Sequence, residues 1–446
     1  MTFPKYPKTP ERGQAIMLVA IALVGLIAII GLMIDGGMYL IEYSRLKRSV
    51  DAAAISAALQ FREGYTIVEL EDIAVEFIQL NQVDAYDLLI ETCDTNGDLC
   101  TNPARKLVRV TATRKIDFGF LPVIGIRDAT ITADAVGEAA SVDAILVIDA
   151  SASMAYEGGG DPNRGDDPAD DPSVCNPAKS CQPFEQIKTV AANFVDHLYF
   201  PFDRVGVVTF DRDPHKTQPL TASKTAALSR ISNLNVYQPP ACDTAHGPCL
   251  NYDVSGNYLG LECPLYRSTG DPSSCTSSNI GGGFAVAGNM FADPPMRDES
   301  LWVVILLAGG PANATTRDMP HFPYGYCPLS TWVTPFCRGA DVSAATRHDS
   351  GDIDYDADDF ARDMADFVAD PVNGQGAVIF TIGLGELVQN TPVGDPEAGE
   401  KLLKYAAEEA GGTHANHGVY YYAPTPAQLD EIFRSIAENI ATRLSQ

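Results

Sequence analysis

Twenty consecutive residues without a charge, AIMLVAIALVGLIAIIGLMI at positions 15 to 34, dominate the pattern of apolar and polar positions along this chain. A helix of that length rises about 30 Å, the thickness of a bilayer's hydrocarbon core. The run is too long for the apolar region of a cleavable signal peptide, its main rival, and no small-x-small site closely follows it. It therefore predicts a membrane-spanning helix. The next stretch, GGMYLIEYSRLKRSVDAAAISAALQ (36 to 60), lacks proline and is rich in helix formers, so it predicts a continuation of the same helix as a stalk. Its alanines between Ala52 and Ala58 would let another helix approach closely, or serve only as good helix formers. A second helical pattern follows in TIVELEDIAVEFIQL (66 to 80). Then KLVRVTATRKI (106 to 116) and ATITADAVGEA (129 to 139) alternate apolar and polar residues like half-buried strands. Residues 61 to 141 read as a small α+β module.

From Val142 onward the pattern changes. Short, wholly apolar runs (AILVID, DRVGVVTFD at 203 to 211, LWVVILLAGG at 301 to 310, GAVIFTIGLG at 376 to 385 and GVYYYA at 418 to 423) alternate with helical patterns. Those helices are expected at 183 to 198, 223 to 234, 282 to 292, 358 to 369, 400 to 410 and 426 to 444. Strands apolar on both faces, separated by helices, predict an α/β fold: a doubly wound, mainly parallel, Rossmann-like sheet spanning 142 to 446. Two long cysteine-bearing insertions interrupt it, near 236 to 277 and 312 to 345.

The first of these runs ends in unusual chemistry. AILVIDASAS (144 to 153) places Asp149, Ser151 and Ser153 where a buried strand leaves the sheet, and ligands of open α/β sheets bind outside the carboxyl ends of strands. Other signals narrow the choice. The spacing of a dinucleotide-binding glycine loop is absent, although Gly281 to Gly283 open a helix, and Ser151 has no Gly-x-Ser-x-Gly elbow, so no enzyme is expected. Asp352, Asp354, Asp356 and Asp358 look superficially like a calcium loop, but Ala357 stands where such a loop needs glycine. An acidic helix start fits them better. A formal net charge of -27 argues against nucleic acid as partner.

The ten cysteines, Cys93, Cys100, Cys175, Cys181, Cys242, Cys249, Cys263, Cys275, Cys327 and Cys337, show no Cys-x-x-Cys spacing. Their even number and closeness along loop-like sequence suggest local disulfides in an oxidising compartment, and pairing in sequence order is the simplest arrangement. Basic residues flank the apolar span on both sides and leave orientation open, so the cysteines decide it. The expectation is a single-pass membrane protein with residues 1 to 14 cytoplasmic and the bulk of the chain extracytoplasmic.

Residues 142 to 446 resemble a von Willebrand factor type A domain. The likeness is carried by Asp-x-Ser-x-Ser after the first strand, SNIGGGF (278 to 284) opening a helix, VVILLAGGPAN, and FTIGLGE. The stretch from Glu11 through the span to DAAAISAAL resembles the amino terminus of TadE/TadG-like proteins of Flp (tight-adherence) pilus assembly. The type A resemblance implies a metal-ion-dependent adhesion site in which Ser151 and Ser153 are direct ligands, Asp149 anchors the ion and Ser278 supplies a second-loop hydroxyl. It implies Mg²⁺ (or Mn²⁺ or Ca²⁺), and a carboxylate from a protein partner as the last ligand. One element departs from the family pattern: its usual Thr-Asp-Gly is here Ala308-Gly309-Gly310. A carboxylate is missing, so any metal should be weakly held. Asp211, also at a strand end, could compensate. The functional expectation is a pilus-assembly or adhesion protein with pilin-like membrane partners. Its alternative is a metal-free structural scaffold of the same machinery, with the serines bonded to backbone amides.

Overall fold

A computed structural model describes residues 12–61, 66–81, 86–155, 168–238, 250–252, 254–255, 258–261, 278–316, 347–352, 355–390 and 395–444. The chain divides into two units, Met1–Ala139 and Ala140–Gln446.

In the first unit, α1 (Arg12–Leu59) is one continuous helix, followed by α2 (Ile67–Leu80) and the strands β1 (Tyr86–Glu91), β2 (Lys106–Asp117) and β3 (Asp128–Ala139). By length and composition α1 can cross a membrane. Thr66 caps α2, its hydroxyl accepting from the Glu69 amide while the Glu69 carboxylate accepts from the Thr66 amide. Leu70, Ala74 and Ile78 form the buried face of α2, the spacing that a helical period demands. The sheet is antiparallel in the order β1-β2-β3, with unbroken register from Lys106 opposite Ala139 to Asp117 opposite Asp128. The sequence pattern did not reveal β1, because the run YDLLIE neither alternates cleanly nor is wholly apolar.

Residues 35 to 59 are helical, but their second half is not a bare stalk. Leu46, Val50, Ala53, Ala54, Ala57 and Ala58 are fully buried, packed on β2, β3 and α2. The small-residue face thus receives a sheet as well as a helix. The closest approach is at Gly137 of β3, where an added Cβ would lie 2.1 Å from the Ala54 carbonyl oxygen. Backbone cannot yield as a side chain can, so Gly137→Ala should destabilise this unit by about 1–3 kcal/mol, the usual cost of overpacking. A fall in the thermal midpoint of the first unit, with the second unit's midpoint unchanged, is the expected reading.

The second unit contains β4 (Val142–Asp149), α3 (Pro172–Ala178), α4 (Phe184–Asp196), β5 (Arg204–Phe210), β6 (Pro214–Thr221), α5 (Lys224–Ser232), a hairpin of β7 (Leu250–Tyr252) and β8 (Tyr258–Leu261), α6 (Ile280–Phe291), β9 (Leu301–Ala308), α7 (Ala357–Ala369), β10 (Val378–Leu384), α8 (Ala398–Glu408), β11 (Tyr420–Ala423) and α9 (Leu429–Leu444). The hairpin falls in the first expected insertion. The main sheet runs β11-β10-β9-β4-β5-β6, parallel except for β6 at the edge. Sequence reading missed β6, since PHKTQPLT is polar and half-exposed, as an edge strand can be.

The apolar runs are explained by burial on both faces. Along β4, Ala144, Leu146 and Ile148 enter one core, under α4, α5 and α9. Ile145 and Val147 enter the other, under α6, α7 and α8. At the amino-terminal end of β4 the fully buried Asp143 carboxylate is bound by Arg204 Nε (2.9 Å), by Arg204 Nη2 (2.5 Å) and by Arg297. Arg297 also donates to the Phe202 carbonyl (2.6 Å).

Two smaller expectations fall partly within the described residues, Asp354 lying outside them. Asp356 caps α7, its Oδ1 accepting from the amides of Asp358 (2.9 Å) and Asp359 (3.0 Å), and Asp358 pairs with Arg362 (2.7 Å). These acids start a helix. Cys93 is bonded to Cys100 and Cys175 to Cys181. The other expected pairs, Cys242–Cys249, Cys263–Cys275 and Cys327–Cys337, lie outside the described residues.

Candidate functional site

After β4 the chain passes to β5 on one side of the sheet and later returns as β9 on the other. This strand-order reversal falls at the carboxyl ends of β4 and β9, the usual ligand position of a doubly wound sheet. Asp149, the last residue of β4, sits there and is 1% exposed. Its Oδ1 accepts from the Ser151 amide (2.9 Å) and its Oδ2 from the Gly309 amide (3.2 Å), just past β9. The carboxylate therefore ties the ends of the two strands together.

Ser151 is buried and Ser153 half-buried. Their hydroxyl oxygens lie 2.9 Å apart. Two oxygens bound to one Mg²⁺ at about 2.1 Å, in adjacent octahedral positions, would be about 3.0 Å apart. The pair thus has the spacing of two metal ligands, although one hydroxyl can equally donate to the other. Ser278 stands two residues before α6. Its amide donates to Asn313 Oδ1 (2.6 Å) and its carbonyl accepts from the Asn313 amide (3.2 Å). Asn279 caps α6, with Oδ1 accepting from the Gly282 amide (2.8 Å). Among the described residues Ser278 makes no hydrogen bond to Asp149, Ser151 or Ser153, so only the first three are joined directly.

The glycines of α6 serve packing. A Cβ on Gly281 would meet Phe360 at 2.5 Å, and one on Gly283 would meet Val147 at 2.9 Å. Asp211 is engaged elsewhere: its Oδ1 accepts from the Asp213 amide (2.9 Å), and its Oδ2 faces His215 Nε2 (3.3 Å).

Burial pushes the Asp149 carboxyl up to about 6; the Ser151 hydroxyl and the amides of Ser151 and Gly309 oppose the rise, and the charge of Asp211 adds to it. Among the described residues no positive charge offsets that rise, and a cation beside the carboxylate would do so. Among the described residues no three carboxylate, imidazole or thiol groups converge. The donor set is one carboxylate with neutral hydroxyls, which fits a hard divalent cation held with several waters.

The residue that sequence reading overlooked is Met154, 1% exposed. A Cβ on Gly309 would lie 2.0 Å from its terminal methyl and 3.9 Å from Asp149 Oδ2. The methionine fills the space that a side chain at position 309 would need. Only the geometry reveals this, since nothing in the sequence links positions 154 and 309. The φ of Gly309 is not in the left-handed region, so its backbone accepts other residues.

Residues 144–247 match the family model of the von Willebrand factor type A domain. Residues 13–60 match that of the putative Flp pilus-assembly TadE/G-like family. A stretch similar to the TadE/G-like family thus precedes one similar to the type A domain. Comparison with curated proteins gave no match. Similar solved structures include the von Willebrand factor domain of the type V pilus tip protein Mfa5 from Porphyromonas gingivalis, at 17% identity over 69% of this chain and 97% of that one, with a TM-score of 0.38. The PilB minor pilin from Streptococcus sanguinis is 15% identical over 80% of this chain and 78% of that one, with a TM-score of 0.40. Proximal thread matrix protein 1 from the mussel byssus, solved with a zinc-occupied MIDAS motif, is 16% identical over 68% of this chain and 46% of that one, with a TM-score of 0.34.

Proposed function

We propose that this chain is a non-enzymatic, single-pass membrane protein of a pilus-assembly or adhesion system. Its type A domain lies outside the cytoplasm and binds an acidic group of a protein partner through a weakly held divalent cation. The cation, Mg²⁺, Mn²⁺ or Ca²⁺, is held by Ser151 and Ser153, with Asp149 as its anchoring charge and Ser278 reached directly or through water. One observation carries the reading. A buried carboxylate and two hydroxyls at ligand spacing sit together at the strand-order reversal of the sheet. The TadE/G-like amino terminus supplies the pilus context. Wherever the remaining cysteines pair, the oxidised Cys93–Cys100 and Cys175–Cys181 bridges support an extracytoplasmic body.

Cross-linking in intact cell envelopes tests this directly. The partners captured by wild type should be lost alike on chelation and in Asp149→Ala. Partners retained under both conditions would leave the metal-free scaffold as the better account.

The methionine at the site supplies a further test. Gly309→Asp restores the missing acid, and the Met154 methyl, the free end of a flexible side chain, must swing away to admit it. Affinity for Mn²⁺ should rise on the order of tenfold, about 1.4 kcal/mol. Adding Met154→Ala should raise it again by removing the obstruction, as measured by calorimetry.

A further inference from the structure

The loop joining β2 to β3 carries no charge from Phe118 through Ile126, FGFLPVIGI. Its side chains Phe120, Val123, Ile124 and Ile126 are exposed, Val123 at 88%. This loop lies along α1. A Cβ on Gly31 would stand 2.7 Å from Phe120 Cβ, and Val24, Ile27 and Gly31 share an apolar cleft of about 280 Å³ with Leu121, Val123 and Ile124. Val24 is about 16 Å along the helix axis from Asp35, at about 1.5 Å per residue. The hairpin tip therefore runs back beside the uncharged part of the helix that is long enough to cross a bilayer.

Backbone amides in hydrocarbon need partners, because no water is there to supply them. This loop has them. Fully buried Asp35 accepts from the amides of Gly119 (3.0 Å), Phe120 (2.9 Å) and Leu121 (2.7 Å). Phe118 donates to Arg127, Val123 to Phe120, Gly125 to Pro122 and Ile126 to Leu121, while Pro122 has no amide hydrogen to satisfy. Charge returns directly on either side of the apolar stretch, at Asp117 and Arg127, and just below it Lys115 pairs with Asp128 (3.1 Å). In water this arrangement would expose a contiguous apolar knob at no benefit. In a bilayer every feature has a use.

We propose that the β2–β3 tip is a second membrane element. It is embedded in one leaflet among the lipid acyl chains, beside α1, and is clamped there by Asp35. The clamp fixes the depth and rotation of α1 relative to the hairpin, and so seats the first unit's sheet at the bilayer surface. This inference rests on α1 being a membrane span, and its test separates the two.

The full chain is reconstituted into phosphatidylcholine vesicles in which part of the lipid carries bromine at mid-chain. Val123→Trp and, as a helix control, Val24→Trp are compared with wild type, whose Trp302 and Trp332 give a constant background. Both added tryptophans should be quenched by bromolipid to a similar extent. Asp35→Asn, which leaves a single acceptor oxygen for three amides, should weaken quenching at position 123 and speed hydrogen exchange of Gly119 to Leu121. Quenching at 24 but not at 123 would overturn the proposal and leave the anchor standing. Quenching at neither position would overturn the membrane span itself, and the proposal with it.

Discussion

Asp143→Ala should lower the stability of the second unit by about 3–5 kcal/mol, the cost of breaking a buried ion network by removing one partner. The carboxylate is fully buried and compensates two guanidinium groups, Arg204 and Arg297, themselves 5% and 1% exposed. Removing it takes away the carboxylate that both guanidinium groups share inside the protein. Arg204 retains the Pro295 carbonyl (2.7 Å) and Arg297 that of Phe202 (2.6 Å), which accept hydrogen bonds but carry no full negative charge. Trp302 reports on this place, because its indole donates to the Arg297 carbonyl (3.0 Å) and stacks on Phe291 with ring centres 5.0 Å apart. Urea unfolding followed by tryptophan emission should show a midpoint far below wild type. A midpoint within experimental error of wild type would show that the network contributes little.

The second large effect concerns pH in the metal-free protein. The folded-state Asp149 carboxyl lies near 6, above its ordinary value of 3.8. A carboxyl raised on folding binds its proton more tightly in the native state, so its contribution to stability is complete below about pH 4 and is lost as pH rises through about 6. The total is on the order of 3 kcal/mol. His215 acts in the same direction: bonding to Asp211 raises it above its ordinary value, so its contribution is also lost as pH rises. Its side chain is 53% exposed, which limits the size of that effect. Asp149→Asn therefore isolates the larger contribution and should flatten most of the decline in stability between about pH 4 and pH 6.5, the window set by the ordinary and raised values of this carboxyl. Mn²⁺ should stabilise wild type at the upper end of that window, where Asp149 is ionised, and much less at the lower end.

Most elements were legible because their residues carry one consistent instruction. Wholly apolar runs such as AILVID and VVILLA became central strands with two cores to fill. The alternating run of β3 became a sheet face with its other side exposed. Of the elements that were not legible, β1 and β6 are edge strands, whose identity comes from a neighbour's hydrogen bonds and not from their own pattern. The candidate site divides in the same way. Asp149, Ser151 and Ser153 lie within five residues and announce themselves. Met154 against Gly309, Asn313 beneath Ser278, and Asp35 beneath the β2–β3 tip are contacts across long sequence distance. The alanines of α1 suggested close approach, but Gly137 reveals which surface approaches.

Calorimetric titration of Mn²⁺ into the full chain at neutral pH tests the central claim most directly. Wild type should bind one ion weakly, with a dissociation constant on the order of 10⁻⁴ to 10⁻³ M, as for sites with few charged ligands. Asp149→Ala should give no heat while keeping its fold, and Gly309→Asp should bind more tightly. Absence of binding in all three proteins, Gly309→Asp included, would contradict a metal-dependent site at the end of β4.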